Sequence, residues 1–299
     1  MTYIKIKSKT RIMDFIIIIA IFIASLLFCG NNNIVAKADS GTEYYKYNLV
    51  TAKTTTYTLP IIYSYMPTYY NMNTSYLDDD PRENASLEQA VVLLNPSSNG
   101  IANIGTGFII GDHEIMTAAH CVYDNGKFVD NVTIKLPTNN PADEGSYISL
   151  TATNLHVPKL YTNNVIGNDY AIITVEENLS DYGSVFLGIP TSDIVDKNVT
   201  IHNLGYNGYA YLKIDDGTAY SITENGNLLY SNLISKGGTS GGPVYVQSTF
   251  GNSNETSGSF TMQTYKTVVG IVSQAGENIT EATCIRSEIL QFAYNNSNL

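Results

Sequence analysis

Beyond Glu83 the chain consists of short apolar runs separated by clusters of turn-forming residues. Runs rich in Val, Ile and Leu that are bounded by Gly, Pro, Asn or Asp are typical of β-strands. The pattern therefore predicts an all-β body built from many short strands. The clearest predicted strands are residues 90–94, 107–110, 132–136, 170–175, 199–204, 242–246 and 267–272.

Three polar clusters between these runs are typical of tight turns, because Asn and Gly tolerate positive φ angles. They are Asp124-Asn125-Gly126, Asp215-Asp216-Gly217 and Glu224-Asn225-Gly226. One helix is predicted late in the chain, at residues 287–294, with Ser287 as its N-cap and Glu288 in its first turn.

The first 38 residues have the composition of a secretory signal peptide. Basic residues precede an apolar run at 15–29, and Val35-Ala36-Lys37-Ala38 offers a small-Xaa-small cleavage site. The run is shorter than the roughly 20 residues that a membrane-spanning helix needs. A lipoprotein cut before Cys29 is an alternative, although Phe28 is bulky for that position. We expect cleavage after Ala38 and a secreted, extracellular protein.

Residues 39–78 differ from the chain that follows them, because they are rich in Tyr and Thr and lack a sustained period of 2 or 3.6. We interpret them as a propeptide, and a loosely attached N-terminal arm is the alternative. The chain has 299 residues, of which 43% are hydrophobic and 14% charged. This composition suits one globular unit, or two fused halves, plus processed segments.

The exported chain is acidic. The leader holds five of the 16 basic residues and one of the 27 acidic residues, so its removal leaves a net charge near −15. An acidic body repels nucleic acid and anionic membranes, so we expect neither as a partner. We expect a soluble monomer.

Ser240 lies in the glycine-rich segment Lys236-Gly237-Gly238-Thr239-Ser240-Gly241-Gly242. Glycines beside a serine let consecutive N–H groups converge next to its hydroxyl. A serine hydroxyl is a poor nucleophile at neutral pH unless a base and an acid that orients this base lie nearby. The candidate base is His120 and the candidate acid is Asp169. Their order in the chain, His, Asp, Ser, is that of the chymotrypsin arrangement.

Four segments resemble the trypsin-like serine peptidases, and more closely their bacterial glutamyl-endopeptidase (V8-like) branch. They are TAAHCVYD at 117–124, NDYAII at 168–173, GGTSGGPVY at 237–245 and VGIVSQAG at 269–276. The resemblance runs from about Asp79 to the end of the chain. It implies two six-stranded antiparallel β-barrels with a C-terminal helix. Residues 79–185 would form the barrel with His120 and Asp169, and residues 186–299 the barrel with Ser240.

The resemblance also implies the role of each residue. Ser240 would attack the scissile carbonyl, His120 would take its proton, and Asp169 would orient the imidazole. The N–H groups of Gly238 and Ser240 would form the oxyanion hole. Ser273 would support the acid.

The substrate-binding residues implied by the resemblance are Ile234, Ser235, Val272, Ser273 and Ala275. Residues 273–275 would pair with the substrate as an added strand. Val272 stands where glutamyl endopeptidases have a His, and Ile234 stands where trypsin has an Asp. A charged P1 side chain would lose its hydration there, so we expect a neutral or apolar P1 residue. The alternative is that Lys236 or the mature N-terminal amine binds an acidic one.

The exported chain has two cysteines, Cys121 and Cys284. An extracellular location would permit a disulfide between them. The family's usual partner upstream of the catalytic His is absent from this chain, so we expect two free thiols. A Cys nucleophile is a rival mechanism, but neither Cys lies in a glycine-rich turn.

The other histidines, His113, His156 and His202, are expected to be ordinary surface or barrel residues. No pair of histidines has metal-ligand spacing, so we expect neither a metal nor a cofactor.

The sequence therefore predicts a secreted serine endopeptidase that cleaves peptide or protein substrates through an acyl-enzyme. The alternative is a catalytically silent relative that acts as an extracellular binding module. We expect a zymogen whose mature N-terminus lies between about Pro67 and Asp80. The new terminus of chymotrypsin-like zymogens pairs with an Asp before the nucleophile, but Thr239 occupies that position here.

Overall fold

The computed structural model describes residues 41–59, 87–137, 147–162, 165, 167–183, 185–208, 212–224, 226–254, 259–275 and 280–296. Side chains are described at all of these positions except 249–263 and 275. The leader cleavage expected after Ala38 and the maturation site expected at 67–80 lie outside the described residues.

The first half of the chain forms one antiparallel sheet with the order β10-β9-β3-β5-β6-β12-β11-β1-β2, and β4 pairs with β3. The chain bends directly from β10 into β11, and Ala152 and Thr153 at this bend donate backbone hydrogen bonds to β9 and β12. The bend therefore curves the sheet into the predicted barrel. Its strands are β1 (Thr42–Asn48), β2 (Lys53–Leu59), β3 (Val91–Ser98), β4 (Ile101–Ala102), β5 (Gly105–Ile109), β6 (Glu114–Thr117), β9 (Asn131–Pro137), β10 (Tyr147–Thr151), β11 (Asn154–Pro158) and β12 (Ala171–Thr174). The short strands β7 (Tyr123–Asp124) and β8 (Lys127–Phe128) form a separate hairpin.

The second half forms a closed barrel of six strands. Its sheet has the order β13-β18-β17-β14-β15-β16-β19, and β18 also pairs with β19, which closes the ring. The six strands of the ring are β14 (Thr200–Tyr206), β15 (Leu212–Ile222), β16 (Leu228–Ser231), β17 (Pro243–Asn254), β18 (Ser259–Ala275) and β19 (Thr280–Cys284). The short strand β13 (Phe186–Leu187) pairs with β18 outside the ring. The predicted all-β, two-barrel architecture is confirmed.

Helices are short and few among the described residues. They are α1 (Lys159–Thr162), α2 (Asp193–Asp196) and α3 (Ser287–Asn296), and 3-10 turns lie at Ala119–Cys121 and Ser180–Tyr182. The predicted C-terminal helix is confirmed in α3, which buries Ile289 and Phe292. None of the helices in the described part of the chain has the length and hydropathy needed to cross a membrane.

Two apolar clusters form the core. The larger cluster fills the first barrel and includes Tyr206 and Ile271 of the second barrel and Phe292 of α3. The smaller cluster lies inside the second barrel around Val244 and Val272. Because the larger cluster contains side chains from both barrels, it holds the two barrels together.

Thr42–Leu59 form an ordered β-hairpin that extends the first sheet from β11. The interpretation of residues 39–78 as a propeptide stays a prediction, but this part has regular structure although its sequence shows no sustained period of 2 or 3.6. The reason is that tyrosine can pack its ring while its hydroxyl stays polar. Tyr44 is 1% exposed, whereas most of β2 faces solvent, so no alternation of apolar and polar residues marks the hairpin.

The seven predicted strands are all found, but the turns are only partly as expected. Asn125 and Gly126 have φ angles of 49° and 80° and connect β7 to β8, as predicted. Asp215-Asp216-Gly217 lies inside β15 instead of forming a turn. A Cβ atom at Gly217 would lie 2.5 Å from Oδ1 of Asn232, so a larger residue there would displace the side chain that accepts a hydrogen bond from the Thr218 N–H.

Candidate active site

His120 and Asp169 are brought together by the pairing of β6 with β12. His120 lies in the 3-10 turn that follows β6, and Asp169 lies just before β12, where Ala171 pairs with Thr117. His120 Nδ1 is 2.7 Å from Asp169 Oδ2, and the His120 backbone N–H donates to Oδ1 at 2.9 Å. Both carboxylate oxygens therefore fix the position of the histidine.

Ser273 provides a third contact to the acid. Its hydroxyl donates to Asp169 Oδ2 at 2.5 Å. The register between β18 and β19 shifts between Val272 and Gln274, and a bulge of this kind re-aims the side chain within it. The Asp169 side chain is only 12% exposed, so these hydrogen bonds replace the water that a carboxylate otherwise needs.

Arg286, just before α3, holds the loop that presents Asp169. Its Nη1 donates to the Gly167 carbonyl and its Nη2 to Oδ1 of Asn168, both at 2.7 Å. The guanidinium also lies over the Tyr170 ring, 5.6 Å from the centroid. Arg286 was not predicted as a site residue, because no local sequence pattern identifies a partner that is more than a hundred residues away.

The pKa of the His120 imidazole is raised above its ordinary value. Burial lowers this pKa, but the hydrogen bonds to Asp169 and Cys121 and the negative charge of Asp169 outweigh the burial. The Asp169 carboxylate therefore stabilises the protonated imidazole, which is the state a general base passes through.

Ser240 lies on a turn whose conformation requires glycine. Gly238 and Gly241, on either side of it, have φ angles of 102° and 83°. A Cβ atom would lie 2.2 Å from the Tyr206 carbonyl oxygen at Gly238, and 2.1 Å from Thr117 Oγ1 at Gly241. Gly238 and Gly241 of the glycine-rich segment are thus required by both backbone conformation and close packing.

Thr106 on β5 ties the Ser240 turn to the first barrel. Its N–H donates to the Ser240 carbonyl at 2.8 Å, and its hydroxyl donates to the Gly238 carbonyl at 2.7 Å. Cys121, next to His120, places its sulfur 3.6 Å from the same Ser240 carbonyl. These contacts bring the turns of Ser240 and His120 side by side, although no hydrogen bond joins these two side chains among the described residues.

The predicted specificity residues are arranged differently from the expectation. Val272 is fully buried in the core of the second barrel instead of lining an open pocket, because it lies on the inner face of β18 just before the bulge. Ile234 is 61% exposed and so is not a buried pocket base. Ser235 is buried, and its hydroxyl lies 2.9 Å from Thr280 Oγ1. Ala275 ends β18, paired with Thr280.

Both cysteines are free, as expected. Cys121 packs in the larger apolar cluster and Cys284 in the smaller one. Burial raises the pKa of the Cys284 thiol to about 12, which makes it inert as a nucleophile at neutral pH.

The three other histidines each have a partner. His113 Nδ1 lies 2.9 Å from the Glu177 carbonyl, His202 Nδ1 2.6 Å from Asp216, and the buried His156 2.9 Å from the Tyr57 hydroxyl. Within the ranges that the structure covers, no group of three His, Cys, Asp or Glu side chains is arranged to hold a metal ion.

The family described as trypsin-like peptidase domain matches residues 105–271, more than half of the chain. The chain belongs to the trypsin-like peptidases. The glutamyl endopeptidase of Bacillus licheniformis is 29% identical over 146 residues, which are 48% of this chain and 45% of that protein. The brachyurin of Leptuca pugilator is 30% identical over 159 residues, 46% of this chain and 69% of that protein. These matches support the expected class of serine endopeptidase.

Solved structures of similar fold agree with this trypsin-like architecture. The thermostable serine protease AL20, from an extremophilic microorganism, has a TM-score of 0.55 at 17% identity and covers 71% of this chain and 98% of its own. A Glu endopeptidase in complex with MPD has a TM-score of 0.55 at 18% identity, and the match covers 74% of this chain and 95% of that one. The HL collagenase structure has a TM-score of 0.51 at 13% identity, and the match covers 71% of this chain and 95% of that one.

Proposed function

We propose that this trypsin-like peptidase is a secreted serine endopeptidase that uses Ser240, His120 and Asp169 as its catalytic triad. The observation that carries the proposal is the double hydrogen bond between His120 and Asp169, placed beside a glycine-lined serine turn. This combination supplies an oriented base and an accessible hydroxyl.

In the proposed reaction, Ser240 Oγ attacks the scissile carbonyl while His120 Nε2 takes the hydroxyl proton. Nδ1 is occupied by Asp169, which leaves Nε2 as the nitrogen for this transfer. The tetrahedral intermediate then breaks its C–N bond, and His120 gives the proton to the leaving amine. Water, activated by the same imidazole, adds to the acyl-enzyme and regenerates the Ser240 hydroxyl.

The negative oxygen of each tetrahedral intermediate would be bound by the N–H groups of Gly238 and Ser240. The positive φ angle of Gly238 supports this role, since it allows neighbouring N–H groups to point to one side. Loss of one such donor raises the barrier by about 3 kcal/mol in a comparable enzyme.

We propose that the substrates are peptides or proteins with a neutral P1 residue. The backbone of residues 273–275 would pair with an extended substrate, and the support is that β17 pairs with β18 only as far as Ile271, while residues 274 and 275 pair with β19. The support for a neutral residue is that Ser235 and Thr280, a buried pair whose hydroxyls lie 2.9 Å apart beside this end of β18, carry no charge. Cleavage of a mixed peptide library tests this, and a dominant preference for Glu would contradict it.

Secretion and activation by processing belong to the same proposal. Its support is the basic and apolar leader with the cleavage site after Ala38, and the change in composition before Asp79. Mass spectrometry of protein from the culture medium should find an N-terminus at or beyond Asp39. Protein retained in the cell with an intact leader would contradict secretion.

The Ser240→Ala variant tests the proposed triad. We expect a loss of peptide hydrolysis on the order of 10⁶-fold in kcat, as seen for a comparable triad, with an unchanged far-UV circular dichroism spectrum. A variant that keeps a tenth of the wild-type turnover would exclude Ser240 as the nucleophile. A wild-type protein that hydrolyses no peptide after processing would favour the catalytically silent binding module instead.

A further inference from the structure

The hairpin Thr42–Leu59 is built into the body of the protease, although it precedes the region that resembles the family. Strand β1 pairs with β11 from Tyr44 opposite Pro158 to Asn48 opposite Asn154. Strand β11 in turn pairs with β12, which begins two residues after Asp169. One strand, β11, thus separates the hairpin from β12, the strand that follows the proposed catalytic acid.

Tyr44 carries the hairpin into the apolar core. It is 1% exposed, and its ring stacks on Phe292 of α3 with the centroids 4.2 Å apart and the planes within 6°. Its hydroxyl lies 3.3 Å from the hydroxyl of Tyr170, the residue directly after Asp169. Tyr44 therefore contacts both the C-terminal helix and the loop that presents the acid.

Tyr57 on β2 makes a second connection to the same helix. Its ring stacks on Tyr44 with the centroids 5.5 Å apart, and its hydroxyl lies 2.9 Å from His156 Nδ1 and 3.4 Å from Asn296 Oδ1. Departure of the hairpin would expose Phe292 and leave the buried His156 without this partner. Exposure of apolar surface and loss of a buried hydrogen bond both oppose that departure.

We propose that the hairpin Thr42–Leu59 stays bound in the mature protease, and that Tyr44 is a positioning residue that holds Asp169 in place through Tyr170. The proposal rests on the proposed function, since it assumes a working triad and a maturation cut between residues 67 and 80. A cut there would leave two chains joined by the β1–β11 ladder and the Tyr44–Phe292 stack. The hairpin would then act as a permanent part of the enzyme instead of a propeptide that leaves.

Retention can be measured by cutting the full chain at an engineered site for a specific protease, placed between residues 67 and 80. The Ser240→Ala background prevents self-digestion. We expect the hairpin fragment to co-elute with the body in size-exclusion chromatography under native conditions, in a one-to-one ratio by mass spectrometry, and to separate in guanidinium. Tyr44→Ala should release the fragment. Release of the hairpin fragment with its native Tyr44 under native conditions would overturn the proposal.

The positioning role can be tested on the active protein with Tyr44→Ala, Tyr44→Phe and the exposed hairpin control Thr56→Ala. We expect Tyr44→Ala to lower kcat by about tenfold to a hundredfold, because small displacements of a catalytic group are costly, with KM unchanged. The acid limb of its pH profile should move to lower pH, since a displaced Asp169 stabilises protonated His120 less.

Tyr44→Phe keeps the stack on Phe292 and should restore most of the activity, while Thr56→Ala should match the wild type. A Tyr44→Ala variant with the wild-type kcat and pH profile would refute the positioning role. If this variant does not fold, the retention measurement decides the proposal. Absence of turnover in the wild type would count against the proposed function, and the retention measurement would still decide whether the hairpin stays.

Discussion

Arg286 Nη2 lies 2.7 Å from Oδ1 of Asn168, so a guanidinium at the start of the C-terminal helix holds the residue directly before Asp169. The same guanidinium binds the Gly167 carbonyl and covers the Tyr170 ring. The acid that orients His120 is therefore fixed from both of its chain neighbours by one side chain from the other half of the molecule.

Replacement of Arg286 should weaken catalysis more than binding. We expect Arg286→Ala to lower kcat by about tenfold to a hundredfold with KM unchanged, because the Asp169 loop loses two hydrogen bonds and shifts. Arg286→Lys should recover only part of this loss, since an ammonium cannot form the same fork of hydrogen bonds. Steady-state kinetics on a peptide substrate measures kcat and KM for the two variants. The exposed Lys213→Gln variant controls for the lost charge, and equal effects in Lys213→Gln and Arg286→Ala would contradict the clamp.

Substitutions at Gly241 and Gly126 distinguish the cost of a steric clash from the cost of backbone strain. Their φ angles are 83° and 80°, but a Cβ atom would meet Thr117 Oγ1 at 2.1 Å in Gly241 and nothing within 4 Å in Gly126. Gly126→Ala should cost about 1 to 2 kcal/mol of unfolding free energy from left-handed strain alone. Gly241→Ala should cost more than about 4 kcal/mol, the range of severe steric conflicts. Urea unfolding measures both, and equal costs would show that the Ser240 turn is looser than the structure indicates.

Much of this site follows from local sequence, because a serine between glycines and a histidine after a strand are each encoded within a few residues. The strands were predictable for the same reason, since short apolar runs and the turn residues that bound them are local. Thr106 and Arg286 were not predictable, because their partners are brought to them only by the fold. The burial of Val272 was not predictable either, because the sequence does not reveal the bulge that follows Val272 and turns Ser273 toward Asp169.

The hairpin Thr42–Leu59 illustrates a different limit. Its buried contacts come from tyrosine rings, which hydropathy patterns do not separate from polar residues. Its place in the sheet also depends on pairing with β11, about a hundred residues later in the chain. Sequence patterns over a short window do not contain that information.

The buried His156 should make the protein sensitive to acid. Burial, and then the positive charge of Lys46, lower the pKa of His156 to about 3, whereas an unfolded chain has a histidine pKa of about 6.5. The unfolded state therefore binds the extra proton between these two values, and stability falls as the pH drops from about 6.5 toward 3. The full shift corresponds to up to about 5 kcal/mol.

Thermal unfolding of the wild type and of His156→Phe across this pH range checks the expectation. The loss of Tm on acidification should be smaller in His156→Phe, because the group that takes up the proton is gone. The partly exposed His202→Gln variant serves as the control and should keep the wild-type pH dependence. An equal loss of Tm on acidification in the wild type and in His156→Phe would show that His156 is not the source of the acid sensitivity.

Covalent labelling of the processed protein with an organophosphate probe, followed by peptide mapping, tests the proposed triad most directly. The hydroxyl of Ser240 becomes reactive only if His120 takes its proton while Asp169 holds the imidazole. We predict one phosphoryl group per chain, located on Ser240 and absent from Ser240→Ala and His120→Ala. A native protein that takes up no label, or that carries the label on a residue other than Ser240, would contradict the assignment of these three residues as a working catalytic triad.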